Sequence, residues 1–499
     1  MNEPLLLGYD IGSSSIKASV IGAESGVLIA SAQSPDDEMR IESPRVGFAE
    51  QQPEVWWQHV VQATAKILSH GSVNAAAIQG IGISYQMHGL VMVDKDRKVL
   101  HPAIIWCDSR AVEIGNKAFA DLGKEYCLRH YLNSPANFTA SKLRWIKEHR
   151  PDIYAKIDKI MLPGDYIALR MTDTLCTTVS GLSEGILWDF ETKSIADKVI
   201  EYYGFDRDII PQIVPTFSIQ GELTASASKE LGLPPRIPIA YRAGDQPNNA
   251  LSLNVLRPGE VAATAGTSGV IYGVTAENVF DDRSRVNTFA HVNYTTERPL
   301  KGVLLCINGT GILYNWIRRQ VLDDRYSYSE MNTFAANAEI GCKGLICLPY
   351  GNGAERSLEN REMGCQFVGI NFSIHKKNHL IRAAQEGIAF SFRYGLEVMR
   401  EIGMTVGAIR AGNANLFQSR VFREVLVNTC GVELTLYNTD GSQGAARGAG
   451  IGTGHFSSPN EAFKGLTVEE ELHPRSSEAD RYQEAYESWK KELLKNLRS

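Results

Sequence analysis

"LLLGYDIGSSSIKASVI", residues 5–21, joins two apolar runs through an aspartate and a tight cluster of Gly and Ser. The runs read as strands. The turn between them would expose backbone N–H groups and hydroxyls, chemistry suited to phosphate oxygens. No Gly-Lys-Ser closes it, so it is not a Walker loop, and no GxGxxG spacing marks a dinucleotide site. "GVLIASA" adds a third strand. "PEVWWQHVVQATAKILSH" (53–70) opens on Pro and carries Trp56, Trp57, Val60, Val61, Ile67 and Leu68 at helical spacing. "IQGIGISY" and "GLVMVD" return to strand, and a mainly helical stretch follows from about 110 to 175. The order β-β-β-α-β followed by helices predicts a layered α/β domain.

The second half repeats this grammar. "GEVAATAGTSGVIYGV" (259–274) again sets small apolar strand residues around a Gly-Thr-Ser turn. Two such hairpins, one per domain, could clamp a triphosphate from both sides, with Asp10 supplying a carboxylate to a hydrated Mg²⁺. Either hairpin alone reads first as an ordinary Gly-rich turn; the near-duplication argues for the clamp. "HLIRAAQEGIAFSFRYGLEVMREIGM" (379–404) predicts a helix with Leu380, Ala384, Ile388, Phe392, Leu396 and Met399 in one stripe. We divide the chain into residues 1–248, 249–475 and a charged amphipathic helix over 476–499, read as a surface strut.

A chain of 499 residues, 43% hydrophobic and 22% charged, is too long for one core and suits two large domains. A formal charge of −6 argues against nucleic acid or anionic membrane as the main partner. No apolar run is long enough to span a bilayer, and the first residues lack a basic n-region, so the expectation is a cytoplasmic protein. The eight cysteines are scattered, and the closest pair, Cys342 and Cys347, encloses mostly apolar residues. That pattern reads as buried reduced thiols in a strand rather than a metal knuckle.

"GYDIGSSSIKAS", "GISYQMHGLVMVD", "AIIWCDSRA", "AGDQPNNAL", "TAGTSGV", "GCQFVGINFSIHKKNHLIRAAQEGIAFS" and "GSQGAARGAG" occur in this order between residue 5 and about 455. Together they resemble the FGGY carbohydrate kinases. The resemblance implies two actin-like ATPase (ribonuclease H-like) domains with a nucleotide and sugar cleft between them. It also implies ATP and Mg²⁺ as co-substrate and cofactor, and a small sugar as acceptor. Family members are often homodimers, although no segment here marks an interface.

The resemblance then implies roles. Asp245 in "RAGDQ" is similar to the base that takes the proton from the attacking sugar hydroxyl; alone, it reads by default as a turn or helix cap. Met87 and His88 in "SYQMHG" follow a strand, where α/β sheets bind ligands, and resemble the sugar pocket of members that act on xylulose. Members acting on glycerol carry Arg–Glu there; a lone His otherwise reads as a core or loop residue. Gln246 resembles a substrate-touching residue of the glycerol-acting members. Ser13, Ser14 and Lys17 match the first phosphate hairpin, and Thr267 matches the second. Gly311 and Asn315 in "NGTGILYNW" resemble the adenosine-proximal segment. "RAGNANLF" (410–417) departs from the family's triple-glycine turn near adenine, leaving Gly412 in place and Asn413 and Asn415 as candidates. Asp108 and Arg110 read as braces of the sugar-site wall, and Glu54–Trp56 as helix start and core.

The implied reaction is ATP-dependent phosphorylation of the terminal hydroxyl of a ketopentose, D-xylulose first. The rivals are a kinase for another ketose or polyol such as ribulose, a non-catalytic sugar sensor, and a filament-forming or chaperone-like ATPase. Asp10 and Asp245 together speak against the sensor, and "QMHG" beside "GDQ" has no purpose in the last.

Overall fold

The computed structural model describes residues 3–457 and 460–498. The opening hairpin is β1 (Leu5–Ile11) and β2 (Ile16–Gly22), continued by β3 (Leu28–Ser34). Then come α1 (Pro53–Leu68), with Pro53 in its first turn, and β4 (Ile78–Tyr85). Beyond a mainly helical region containing α2 (Thr139–His149) and α3 (Val179–Glu184), β5 (Ile239–Gly244) runs straight into α4 (Asp245–Ser252). The first sheet has the order β5-β4-β1-β2-β3. Its β1/β2 and β2/β3 pairs are antiparallel, and β1/β4 and β4/β5 are parallel. The strands are apolar because both faces are covered: Leu6, Leu7, Tyr9 and Ile11 are all buried.

The second half builds the same sheet. β6 (Glu260–Ala265) and β7 (Gly269–Thr275) form the second hairpin, followed by β8 (Asn287–Ala290), β9 (Lys301–Ile307) and α5 (Gly311–Trp316). The long α6 (Lys377–Glu401) precedes β10 (Ala408–Gly412), α7 (Arg420–Cys430) and β11 (Glu433–Tyr437). α8 (Gly441–Gly452), β12 (Val468–Leu472) and α9 (Ser476–Arg498) complete the chain. The sheet order is β8-β9-β7-β6-β10-β11-β12. Its inner five strands, β9-β7-β6-β10-β11, repeat the order and directions of the first sheet. The helical stripe expected on α6 is buried at Ala384, Ile388, Phe392, Leu396 and Met399. α9 is more than a strut: Tyr482, Tyr486, Trp489 and Leu493 are buried in the second core.

The two halves interlock. α8 follows β11 in the chain yet lies on the first sheet, where Ser442 Oγ and Ser19 Oγ share a 2.8 Å hydrogen bond. Its sequence, GSQGAARGAGIG, explains the fit: small side chains let backbones meet. A Cβ added at Gly8 would stand 2.0 Å from the Ser442 carbonyl oxygen, and one at Gly82 2.0 Å from that of Ala445. Residues 248 and 249, where the sequence reading divides the chain, fall inside α4, and Asn248 Nδ2 donates to Gly441 O on α8 at 2.8 Å.

All cysteines are free thiols, and Cys342 lies in a short 3-10 turn with Cys347 in the following strand. Among the described residues no helix is long and apolar enough to cross a membrane.

Candidate active site

Asp10 is the penultimate residue of β1. Parallel pairing sets it opposite Ser84 on β4, whose buried hydroxyl donates to Asp10 Oδ1 at 2.8 Å. Burial raises its carboxyl above the usual range; the Ser84 bond opposes this, and the Asp440 charge adds to it. Asp440 caps α8, its Oδ1 accepting from Gln443 N at 3.0 Å, so α8 brings a second carboxylate to the first hairpin. Ser13 and Ser14 form the turn: Ser13 Oγ accepts from Trp106 Nε1 at 3.3 Å, and Ser14 is exposed. Lys17 is exposed and pairs across the hairpin with Asp10.

Asp245 begins α4 directly after β5, at the C-terminal end of the sheet. No side chain caps this helix, since its N-cap is Gly244. Burial pushes the Asp245 carboxyl up to about 7, with the Asp10 charge adding to the shift. Gln246 Nε2 donates to Asp245 Oδ2 at 3.3 Å, while Gln246 Oε1 is buried without a partner among the described residues.

Met87 and His88 leave β4 at the same end. Met87 packs on the backbone beside Asp245: a Cβ at Gly244 would stand 2.6 Å from Met87 Cγ. His88 sits in the left-handed region at φ 61°. Its Nδ1 is 3.0 Å from the Glu184 carbonyl, which can only accept, so Nδ1 carries the proton. Burial, with the Lys142 charge adding, pushes the imidazole down to about 3. The ring is therefore neutral, and Nε2 is left as a bare acceptor. The rings of Phe138 and Phe289 flank it at 4.8 and 5.2 Å.

The second hairpin turn carries Gly266 and exposed Thr267, and it meets the start of α5: Gly311 N donates to Gly266 O at 2.9 Å and Ile312 N to Thr267 O at 3.1 Å. Beside it opens a cavity of about 960 Å³, walled by Thr267, Gly311, Asn315, Tyr328 and Asn415 among others. Tyr328 stacks on Tyr314, lies under Arg318, and donates to Asn315 Oδ1 at 3.1 Å. Gly412 and Asn413 stand off this wall. Gly412 ends β10, and Asn413 Nδ2 donates to Glu469 Oε2 at 2.6 Å. Ala414, Asn415 and Leu416 line the cavity in their place.

Asp108 and Arg110 are braces: Arg110 is bidentate on Asp108, reaches Glu50 at 2.6 Å, and its guanidinium covers Phe48. Glu54 and Trp56 likewise belong to α1 and its core.

Two groups escaped the sequence reading. Glu184, at the end of α3, has both carboxyl oxygens buried without a normal hydrogen bond among the described residues, and Oε2 lies 3.8 Å from His88 Nδ1. Burial holds its carboxyl well above the usual range, with Asp245 and Asp165 adding and the Tyr85 hydroxyl opposing. The signal was present as an acid inside "LSEGIL", where apolar neighbours imply burial. The Arg356 side chain has one weak hydrogen bond among the described residues, to Ser284 O at 3.4 Å, and burial lowers its pKa. No motif pointed to it.

Residues 5–252 match the N-terminal domain of the FGGY family of carbohydrate kinases, and residues 261–452 match its C-terminal domain. The chain belongs to this family. A xylulose kinase of Bacillus subtilis is 27% identical over 97% of this chain and 96% of its own. One of Escherichia coli is 27% identical over 89% and 88%. Among solved structures, a protein from Brucella ovis titled a xyloylose kinase has a TM-score of 0.87 at 24% identity, covering 98% of this chain and 99% of that one. A gluconate kinase of Lactobacillus acidophilus has a TM-score of 0.89 at 21% identity, with 99% of both chains covered. These structures establish the two-domain actin-like fold. As an FGGY kinase the protein is an ATP-dependent sugar kinase.

Proposed function

We propose that this FGGY kinase transfers the γ-phosphoryl group of ATP to the terminal hydroxyl of D-xylulose, giving D-xylulose 5-phosphate and ADP in the cytoplasm. The observation that carries the reading is the pocket beside Asp245. There a neutral His88 offers Nε2 to a hydroxyl, and Met87 supplies an apolar wall. Similarity to xylulose kinases over nearly the full chain supports the choice of sugar.

Asp245 is the base. Its carboxylate accepts the proton of the terminal hydroxyl as that oxygen attacks the γ-phosphorus and the bond to ADP breaks. A pKa near 7 suits the task, because the group is ionised enough to act and basic enough to take a proton. The hairpin turns at Ser13–Ser14 and Thr267 hold the phosphates, and the Tyr328 cavity takes the adenine. The acidic oxygens suit Mg²⁺. Among the described residues no three His, Cys, Asp or Glu side chains form a closed metal cage, which fits an ion held by one or two carboxylates and the phosphates themselves. Asp10 would hold it, and the ion would neutralise phosphate charge.

The test is a panel of D-xylulose, D-ribulose, L-ribulose, gluconate and glycerol, each with ATP and Mg²⁺, read by ADP release. D-xylulose should give the highest kcat/KM and glycerol near background. Turnover of another member at or above that of xylulose rejects the substrate assignment.

A further inference from the structure

His88 holds a backbone conformation that side-chain-bearing residues rarely adopt, at φ 61°, and such conformations persist only where the surroundings enforce them. Lys142 on α2 is fully buried, an unusual place for an ammonium. Its Nζ donates to the His88 carbonyl at 2.8 Å and to the Ile105 carbonyl at 3.0 Å. Lys142 has no ion pair within 4 Å among the described residues, so its charge is spent on two backbone oxygens. Glu184 holds the other end of the same residue, its carbonyl receiving the Nδ1 proton at 3.0 Å. The backbone is thus fixed by one contact and the ring by the other.

We propose that Lys142 is a positioning residue for the sugar pocket: by holding the His88 carbonyl it keeps His88 in the left-handed conformation that turns Nε2, as a hydrogen-bond acceptor, toward a substrate hydroxyl. The inference rests on the sugar-pocket reading above and narrows its chemistry. A neutral ring whose only free nitrogen accepts can take a hydroxyl but offers nothing to a carboxylate or phosphate. The acceptor substrate therefore presents a neutral hydroxylated carbon to His88, which excludes aldonates that would place their acid group there. The Lys142 charge also helps keep the ring unprotonated, after burial.

Lys142→Met keeps the length and packing of the side chain and removes both hydrogen bonds. With the best sugar of the panel, whichever it is, the variant should raise the sugar KM by at least about tenfold, leaving kcat and the ATP KM within about threefold. In a His88→Ala background the same substitution should change the sugar KM by less than about twofold, because there is no ring left to position. Equal effects in both backgrounds, or loss of kcat with an unchanged sugar KM, overturn the proposal in favour of a purely structural lysine. A second measurement does not depend on that variant folding. In protein labelled with ¹⁵N-histidine, the His88 signal, assigned by its absence in His88→Ala, should show a protonated Nδ1 and bare Nε2 from pH 8 to pH 5. The Nε2 shift should move on adding the sugar. An Nε2–H tautomer, or an imidazolium at pH 6, overturns the proposal. A different preferred sugar would reject the xylulose assignment while leaving this coupling intact.

Discussion

As the proposed base, Asp245 would serve activity at the expense of stability. Its carboxyl titrates near 7 in the folded protein and near 4 in the unfolded chain. A base acts in its ionised form, so on this proposal kcat/KM should rise with pH and level off above about 7. Asp245→Asn cannot accept the proton and should lose about 10²–10⁴-fold in turnover, with ATP binding retained. Stability moves the other way. Because the folded pKa is the higher one, the folded state keeps its proton while the unfolded chain has already released it. Stability is therefore lost as pH rises from about 4 to about 7, and the deficit stays constant above. Asp245→Asn removes the group, so it should melt above the parent protein at pH 8, with the gap closing toward pH 4. A variant that melts lower and loses activity only in proportion to its unfolded fraction would make Asp245 a structural cap. At the facing carboxylate, Asp10→Ala should depress turnover under saturating sugar and move the Mg²⁺ dependence to higher concentration. Normal turnover with an unaltered Mg²⁺ curve would reduce Asp10 to a hairpin-shaping role.

The elements most legible in the sequence are those whose signals are local. The two hairpins announce themselves because a Gly/Ser/Thr turn between short apolar runs has few alternatives, and α6 because its apolar stripe is long. What was not legible depends on contacts distant in the chain. Lys142 sits in "SKLRWIKEH" among Arg144, Lys147 and Glu148, and only the packing of α2 shows that it alone is fully buried. The resemblance at "RAGNANLF" offers Asn413 near the adenine; in the structure its amide donates to Glu469 on β12, a partner distant in the chain. The docking of α8 on the other half's sheet was hidden for the same reason, though its Gly/Ala content permits it. That docking makes its own prediction. Gly82→Ala places a methyl against the Ala445 carbonyl, a rigid backbone atom, so the helix or the strand must shift. The cost should be about 1–3 kcal/mol, seen as a Tm lower by several degrees. An unchanged Tm would show that α8 can slide freely on the sheet.

Across the whole molecule, the proposed sugar and nucleotide sites lie on different halves, and the halves meet at His88. The proposed sugar pocket stands on β4, β5 and the start of α4, all in the first half. Its Phe289 wall comes from β8, at the edge of the second sheet. The second half also carries the cavity proposed for the nucleotide, while α8, bearing Asp440, reaches back to the first hairpin. Each ligand would therefore contact both halves, and whichever binds first is expected to meet part of the ordering cost for the other. The expectation is positive coupling. A saturating sugar that lacks the phosphorylatable hydroxyl should tighten binding of a non-hydrolysable ATP analogue by about 5–150-fold. Because the coupling is a free energy, the analogue must tighten sugar binding by the same factor. Calorimetry on both arms of the cycle checks this directly. Phe289→Ala should shrink the factor while leaving binding of the nucleotide alone unchanged, since Phe289 touches His88 and does not line the cavity. Independent binding of the two ligands would mean that the halves are already fixed in their closed arrangement, and that water is kept from the phosphates by rigid walls alone.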